Sequence, residues 1–127
     1  MHGLHLTADL FRCACAADLL THPQAIGDLC RRHAREAGLT VVGEQWVAFP
    51  AQPVGPGGIT GMLLLSESHL AVHTWPEHAG VTLDVYVCNF SADNSAKAER
   101  LMRELVSTLA PARVQMQRLQ RGEVNRA

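Results

Sequence analysis

The sequence predicts an α+β fold, a two-layer α/β sandwich in which two helices cover one face of an antiparallel β-sheet. Apolar and polar residues alternate in several short runs, which is the pattern of half-buried strands. Two longer segments repeat apolar residues at the helical spacing instead. A length of 127 residues with 47% hydrophobic residues suits one domain, which we expect to span residues 1–127.

The first half of the chain predicts a strand, a helix and a second strand. Pro23 is tolerated in the first turn of a helix, and Gly38 supplies a stop signal after the helical repeat. The predicted elements are a strand at 4–11, a connector with a helical turn at 12–21, a helix at 22–38 and a strand at 39–49.

A loop rich in proline and glycine, residues 50–58, leads into the second half and cannot form regular structure. Such a loop is either a linker or a surface shaped to approach a ligand closely. Further on, Pro111 ends a segment whose apolar residues fall on one helical stripe. The predicted elements are a strand at 59–65, a hairpin of 67–74 with 81–88, a helix at 97–109 and a strand at 113–119.

The hairpin gathers polar side chains on one of its two faces. If Thr74 lies opposite Val81, directly opposed residues share a face along the whole ladder. The same register places Glu67 opposite Cys88, with Ser68 beside that cysteine. The other face is apolar and suits a core. The polar face collects two imidazoles, a carboxylate, a phenol and a thiol from His69, His73, Asp84, Tyr86 and Cys88. This set indicates a chemical rather than a structural role.

The composition excludes several classes of function. A formal net charge of −1 offers no basic field for nucleic acid. No apolar run approaches the roughly 20 residues of a membrane helix, and the start of the chain lacks a signal-peptide layout. The four cysteines follow no disulfide or zinc spacing, and Cys13-x-Cys15 is too isolated to be a metal half-site. We therefore expect a cytoplasmic protein with reduced thiols.

Other chemistries fit the same polar face. A zinc site could use His69, His73 and Cys88, with Asp84 behind them. Against it, the two histidines are four residues apart on a strand, about 13 Å along the chain. A nucleophilic pair of Cys88 with either histidine is sterically possible, although no nucleophile signature surrounds the cysteine. A buried cysteine among hydrogen-bonded histidines is the purely structural alternative.

A dense motif runs through the hairpin. Its two parts are Ser66-Glu67-Ser68-His69-Leu70-x-x-His73-Thr74-Trp75-Pro76-Glu77 and Asp84-Val85-x-x-Cys88. This motif closely resembles the processing-site signature of the short prokaryotic S-adenosylmethionine decarboxylases, which are pyruvoyl enzymes of polyamine biosynthesis. Weaker similarity extends to residues 4–6, 49–50 and 58–61. The resemblance implies the fold of that family and the formation of decarboxylated S-adenosylmethionine, the aminopropyl donor for spermidine.

The resemblance implies that the protein cuts its own backbone between Glu67 and Ser68. The Ser68 hydroxyl would attack the Glu67 carbonyl and turn the amide into an ester, and His73 would then remove the Ser68 α-proton. Elimination and loss of ammonia would leave a pyruvoyl group at residue 68. The products would be a β chain of residues 1–67 and an α chain of residues 68–127, held together by the sheet.

The reaction and its site residues also follow from the resemblance. The pyruvoyl carbonyl would form a Schiff base with the substrate amine and take up the electrons left by carbon dioxide, without a metal or pyridoxal phosphate. Cys88 would protonate the substrate α-carbon, whereas protonation of the pyruvoyl carbon would inactivate the enzyme. Phe49 would stack on adenine, Glu77 would hold the ribose hydroxyls and Thr60 would assist processing.

Three departures from the family pattern leave other functions open. The Pro/Gly loop is longer than usual, Thr60 replaces a serine, and Asn89 replaces a glycine after the cysteine. A reshaped loop is where relatives of this fold that decarboxylate L-arginine or L-ornithine would differ. An unprocessed binding or regulatory relative is the alternative of another class. From the family we expect a homodimer with active sites near the subunit interface, acting on a small amino-acid substrate.

One local conflict yields a structural prediction. On an ideal strand, Ser68 and His73 point to opposite faces because their separation in sequence is odd. A bulge or turn near the Glu67–Ser68 bond would be needed for His73 to reach Ser68, and it would also supply strain for the acyl shift. We therefore predict an irregularity at this bond.

Overall fold

A computed structural model describes residues 1–90 and 92–123. Short connections join most of its strands and helices. In chain order they are β1 His2–Cys13, α1 Asp18–Thr21, α2 Pro23–Glu36, β2 Val41–Ala48, β3 Ile59–Leu65, β4 Ser68–Trp75, a 3₁₀ turn Pro76–His78, β5 Gly80–Cys88, α3 Ser95–Leu109 and β6 Pro111–Gly122. The predicted order of strands and helices is confirmed.

The six strands form one antiparallel sheet in the order β2-β3-β4-β5-β1-β6. Helix α2 packs on β2 and β3, α3 packs on β1 and β5, and the two helices also contact each other on that face. The core lies between the helices and the sheet, where Leu70, Val72, Leu83 and Val85 are at most 1% exposed. The two-layer sandwich is therefore confirmed, and no helix of residues 1–90 and 92–123 lies on the opposite face of the sheet.

The terminal strands are longer than the alternation alone predicted. β1 and β6 pair with each other from His2↔Gly122 to Cys13↔Pro111. This pairing joins the first and last strands. Both strands therefore continue through polar residues, where backbone hydrogen bonds between them maintain the strand although the hydrophobic alternation has ended. Helix α3 begins at Ser95 instead of residue 97, and the Asn94 N–H just before it donates to Asn89 Oδ1 at 2.7 Å.

Candidate active site

The β4–β5 hairpin has the register that the sequence predicts. Thr74 pairs with Val81, His73 with Thr82, and His69 with Tyr86. Along both strands, buried residues alternate with partly exposed ones. The predicted polar set lies on the partly exposed face, away from the helices: His69, His73, Asp84, Tyr86 and Cys88. The polar face is therefore confirmed.

The Glu67–Ser68 bond lies at the end of a two-residue turn between β3 and β4. Leu65 pairs with Ser68 across this turn, and Glu67 has a φ of 57°, in the left-handed region. That region is unfavourable by roughly 1–2 kcal/mol for a residue with a Cβ. The predicted irregularity at this bond is therefore present, as a tight turn. Because of the turn, the β4–β5 ladder ends at His69↔Tyr86 and does not place Glu67 opposite Cys88.

Ser68 lies next to Cys88, as the sequence predicts. Its side chain is on the buried face, and the residue is 9% exposed. The Ser68 Oγ accepts a hydrogen bond from the Cys88 backbone N–H at 3.3 Å. This contact holds the hydroxyl beside the backbone of the cysteine and immediately after the strained Glu67.

His73 lies far from Ser68 within the same chain. The two residues are five positions apart on the regular strand β4, which is about 16 Å along the strand, and they occupy opposite faces. The turn at Glu67 precedes this strand and does not change the geometry between them. The sequence expectation that an irregularity near Ser68 would bring His73 to it within one chain is therefore wrong. His73 Nδ1 is instead 3.0 Å from the Thr60 hydroxyl on β3.

A cavity of about 310 Å³ lies at the His73 end of the hairpin. Phe49 and the Pro/Gly loop form one side, and Trp75 and Glu77 belong to the strand end and 3₁₀ turn that line the cavity with His73. The ring of Phe49 is accessible, since the residue is 53% exposed. The structure therefore brings the predicted substrate-binding residues together with Thr60 and His73, in a volume that suits a small ligand.

Buried contacts hold the inner wall of this cavity in place. The Thr74 hydroxyl donates to the Leu20 carbonyl at 2.7 Å and accepts the Ile59 N–H at 2.8 Å. A Cβ at Gly58 would lie 2.0 Å from the Thr74 carbonyl oxygen, so only glycine fits there. The Pro/Gly loop is therefore a shaped wall rather than a linker.

The polar face includes two residues that the sequence did not single out. His5 on β1 forms a hydrogen bond through Nε2 with Asp84 Oδ1 at 2.9 Å. Arg121 on β6 lies over the Tyr86 ring at 5.7 Å, and its Nη1 is 3.5 Å from His5 Nδ1. Alternation along β1 placed His5 on a polar face, but no local signal placed β1 beside β5.

The chain matches the family model described as S-adenosylmethionine decarboxylase over residues 4–122. It belongs to this family. The S-adenosylmethionine decarboxylase proenzyme of Aquifex aeolicus is 37% identical over 96% of this chain and 82% of its own length. The proenzyme of Picrophilus torridus is 33% identical over 94% of this chain and 84% of its own length.

A solved structure of the S-adenosylmethionine decarboxylase family shares the fold. The crystal structure of the adenosylmethionine decarboxylase from Aquifex aeolicus superposes with a TM-score of 0.83 at 36% sequence identity. The match covers 98% of this chain and 94% of the other. The predicted resemblance and the decarboxylase class are therefore confirmed, and nothing in these comparisons favours arginine, ornithine or a non-enzymatic relative.

The decarboxylase fold does not assemble the zinc site considered from the sequence. His69 and His73 stay four residues apart on a straight strand. Within residues 1–90 and 92–123, no group of three or more His, Cys, Asp or Glu side chains is arranged to hold a metal ion. The helices in this part of the chain are also too short or too polar to span a membrane.

The surroundings of His69 predict that the stability of the protein depends on pH. Burial, followed by the nearby His5, lowers the pKa of His69. The unfolded chain, with an imidazole pKa of about 6.5, then binds the proton more readily than the folded protein. The contribution of His69 to stability is therefore complete above that value and is lost as the pH falls through the lower folded pKa.

We expect His69→Gln to lose less stability than the unsubstituted protein between pH 7.5 and pH 5. The free energy of unfolding in urea, measured at both pH values and one protein concentration, checks this. His22→Gln, at an exposed position before α2, is the control. Equal losses of unfolding free energy in His69→Gln and in the unsubstituted protein would show that His69 is not the source of the pH dependence.

Proposed function

We propose that this protein is a self-processing, pyruvoyl-dependent S-adenosylmethionine decarboxylase. The observation that carries the proposal is the Glu67–Ser68 bond, where a buried serine hydroxyl follows a left-handed residue and contacts the backbone of Cys88. Membership of the decarboxylase family and relatives that are proenzymes support it. A cytoplasmic location remains a prediction.

The proposed first step is cleavage of the chain's own backbone at this bond. The Ser68 hydroxyl attacks the Glu67 carbonyl, and the amide becomes an ester as the nitrogen leaves. Removal of the Ser68 α-proton by His73 then breaks the Oγ–Cβ bond of that ester, which releases Glu67 as a carboxylate and separates the chains. Water replaces the nitrogen of the resulting dehydroalanine, and the nitrogen leaves as ammonia. Relief of the left-handed conformation at Glu67 favours the initial exchange of amide for ester. The cut falls in the turn between β3 and β4, and these strands remain paired from Thr60↔His73 to Leu65↔Ser68. The β chain 1–67 and α chain 68–127 therefore stay associated.

The residues around Ser68 suit the pyruvoyl group that processing would leave there. Such a group supplies an electrophilic carbonyl that takes up electrons when carbon dioxide leaves, and no metal or pyridoxal phosphate is then required. Ser68 would be its precursor and would hold it at the new N-terminus. Cys88 lies beside this position and would deliver its thiol proton to the substrate α-carbon.

The adenosyl part of the substrate would occupy the cavity at Phe49 and Glu77. An exposed aromatic ring offers a stacking surface for a purine, and a carboxylate accepts hydrogen bonds from vicinal hydroxyls. Glu77 is exposed at the rim, and Thr60 would orient His73 through their contact at 3.0 Å. The glycine at position 58 supports the proposal, because it keeps the wall of the cavity close to the strand.

A second copy of the chain is needed to complete this site. Ser68 and Cys88 lie at one end of the hairpin, whereas His73 and the cavity lie at the other, about 16 Å along the strand. We propose a homodimer in which the polar sheet faces of two subunits meet. The Ser68 end of each β4–β5 hairpin then lies against the His73 end of the other. His73, Thr60, Phe49 and Glu77 of one subunit would then serve Ser68 of the other. The polar face of the sheet supports this arrangement, because none of the described helices covers it.

The test of the proposed function combines mass and activity. Denaturing mass spectrometry of the purified protein is expected to show two chains that divide at Glu67–Ser68. Release of carbon dioxide is then measured from S-adenosylmethionine, L-arginine and L-ornithine in parallel, and only the first is expected to react. A single intact chain after long incubation, or reaction with arginine or ornithine alone, would overturn the proposal.

Replacing Cys88 separates processing from turnover. We expect Cys88→Ala to cut normally at Glu67–Ser68, because the residue offers its backbone N–H rather than its thiol to Ser68. Carbon dioxide release should fall by about 100-fold or more, as for loss of a general acid. Cys15→Ala, at a partly exposed thiol before α1, is the matched control and should keep full activity. Unchanged turnover in Cys88→Ala would rule out its assigned role.

A further inference from the structure

Tyr86 is the only tyrosine in the chain, and its side chain fills the space beside Cys88 on the same face of the sheet. On the neighbouring strand β1, Gly3 is the residue paired with Cys88. A Cβ at Gly3 would lie 2.9 Å from both Cε1 and the hydroxyl oxygen of Tyr86. The phenol therefore occupies the side-chain position that directly faces Cys88, where paired Cβ atoms lie about 4.5–5.5 Å apart.

Neighbouring side chains hold this ring on several sides. The His69 ring is tilted against it with centroids 5.6 Å apart, and the His5 ring meets it edge-on at 6.2 Å. His5 is itself tied to Asp84 at 2.9 Å, and the guanidinium of Arg121 lies 5.7 Å from the ring centroid. The ring is therefore a fixed wall beside the cysteine.

The backbone of Cys88 is equally constrained. Its N–H donates to Ser68 Oγ at 3.3 Å, and its carbonyl accepts from Asn94 Nδ2 at 2.9 Å. With the backbone held, the thiol moves chiefly by rotation about χ1, among three staggered positions. Strand β4 with Ser68 lies on one side of Cys88, and β1 with Gly3 lies on the other. The Tyr86 ring obstructs the Gly3 side.

We propose that Tyr86 is a positioning residue whose ring confines the Cys88 thiol to the side of strand β4, which begins at Ser68. The inference rests on the proposed decarboxylase function. Its consequence concerns where the thiol proton goes after carbon dioxide has left. Delivery to the substrate α-carbon completes the reaction, and the thiolate recovers a proton from water.

A misplaced thiol would deliver the proton to the former carbonyl carbon of residue 68 instead. One water molecule would then hydrolyse the bond between the amino nitrogen and the substrate carbon, so that the nitrogen stays on residue 68, which becomes alanine. The rest of the substrate departs as an aldehyde that carries the oxygen of that water. The enzyme is inactivated, so confinement of the thiol determines how many turnovers each site completes.

The test compares Tyr86→Ala, which removes the ring, with Tyr86→Phe, which retains it. Each processed protein is incubated with excess S-adenosylmethionine. Mass spectrometry of the 68–127 chain gives the fraction that begins with alanine at residue 68, and released carbon dioxide gives the number of turnovers. Tyr86→Ala is expected to complete about tenfold fewer turnovers per inactivation, equivalent to about 1.4 kcal/mol of rotamer preference. Tyr86→Phe should match the unsubstituted protein, as should the control Thr7→Ala on the same face of β1.

A second measurement does not depend on processing. Iodoacetamide alkylation of Cys88, followed by peptide mass spectrometry of the folded protein, is expected to be about tenfold faster in Tyr86→Ala and unchanged in Tyr86→Phe. Equal alkylation in all three proteins would overturn the inference, as would a Tyr86→Phe protein that behaves like Tyr86→Ala. An unsubstituted protein that is never cleaved would overturn the decarboxylase proposal instead. The alkylation rates would still test whether the Tyr86 ring restricts the Cys88 thiol.

Discussion

Replacing Ser68 with alanine is expected to leave the protein as one uncleaved chain that releases no carbon dioxide from S-adenosylmethionine. The alanine has no hydroxyl to attack the Glu67 carbonyl, so neither the cut nor the pyruvoyl group can form. We expect the cleaved fraction to fall to zero and the activity to fall by at least about 1,000-fold. Denaturing mass spectrometry and a carbon dioxide assay on the same sample measure both.

The fold should survive this substitution, because alanine fits the space of a buried serine and leaves the turn backbone unchanged. Ser66→Ala is the matched control, since Ser66 is an exposed serine in the same turn, and its backbone N–H donates to the Thr40 carbonyl at 3.0 Å. It should be cut and active like the unsubstituted protein. Cleavage of Ser68→Ala at residue 67 would refute the self-processing mechanism.

A mixed dimer of two inactive chains is expected to recover cleavage. His73→Ala and Ser68→Ala should each remain intact alone. When the two chains carry different affinity tags and are expressed together, the His73→Ala chain should be cut, because the Ser68→Ala partner supplies the missing imidazole. The reason is the separation of about 16 Å between Ser68 and His73 on one strand. Mass spectrometry of dimers purified on both tags shows which chain is cut.

The control for this experiment places both substitutions in one chain and pairs it with an unsubstituted chain. If His73 acts across the interface, the unsubstituted chain stays intact because its partner has no His73. If His73 acts within its own chain, the unsubstituted chain is cut. Cleavage in the control, or none in the mixed dimer, would contradict the shared site. The recovered dimer contains one working site and should show about half of the activity of the unsubstituted protein, since independent sites add.

Local patterns in the sequence determined much of the fold. The alternation of β4 and β5 and the turn between them fixed the pairing of Thr74 with Val81, because a slip of one residue would bury the histidines and expose the valines. The helical repeats determined α2 and α3 because each needs one buried stripe. The conflict in parity between Ser68 and His73 predicted an irregularity at the Glu67–Ser68 bond, and a strained turn is present there, although it does not bring the two residues together.

The pairing of β1 between β5 and β6 lay beyond local patterns. It joins residues more than 70 positions apart, such as His5 with Tyr86 and His5 with Leu119. His5, Gly3 and Arg121 therefore reach the polar face only through this pairing. No spacing in the sequence predicts that the Tyr86 ring lies over Gly3.

By itself, the sequence determined the strands and helices, the hairpin register and the family to which the chain belongs, and it predicted the bond that processing would cut. These depend on residues close together in the chain or on a contiguous motif. Only the tertiary structure decided that His73 and the cavity at Phe49 stand away from Ser68, and that Gly3 and Tyr86 flank Cys88. The physical reason is that a straight strand carries nearby residues apart, whereas sheet pairing brings distant ones together.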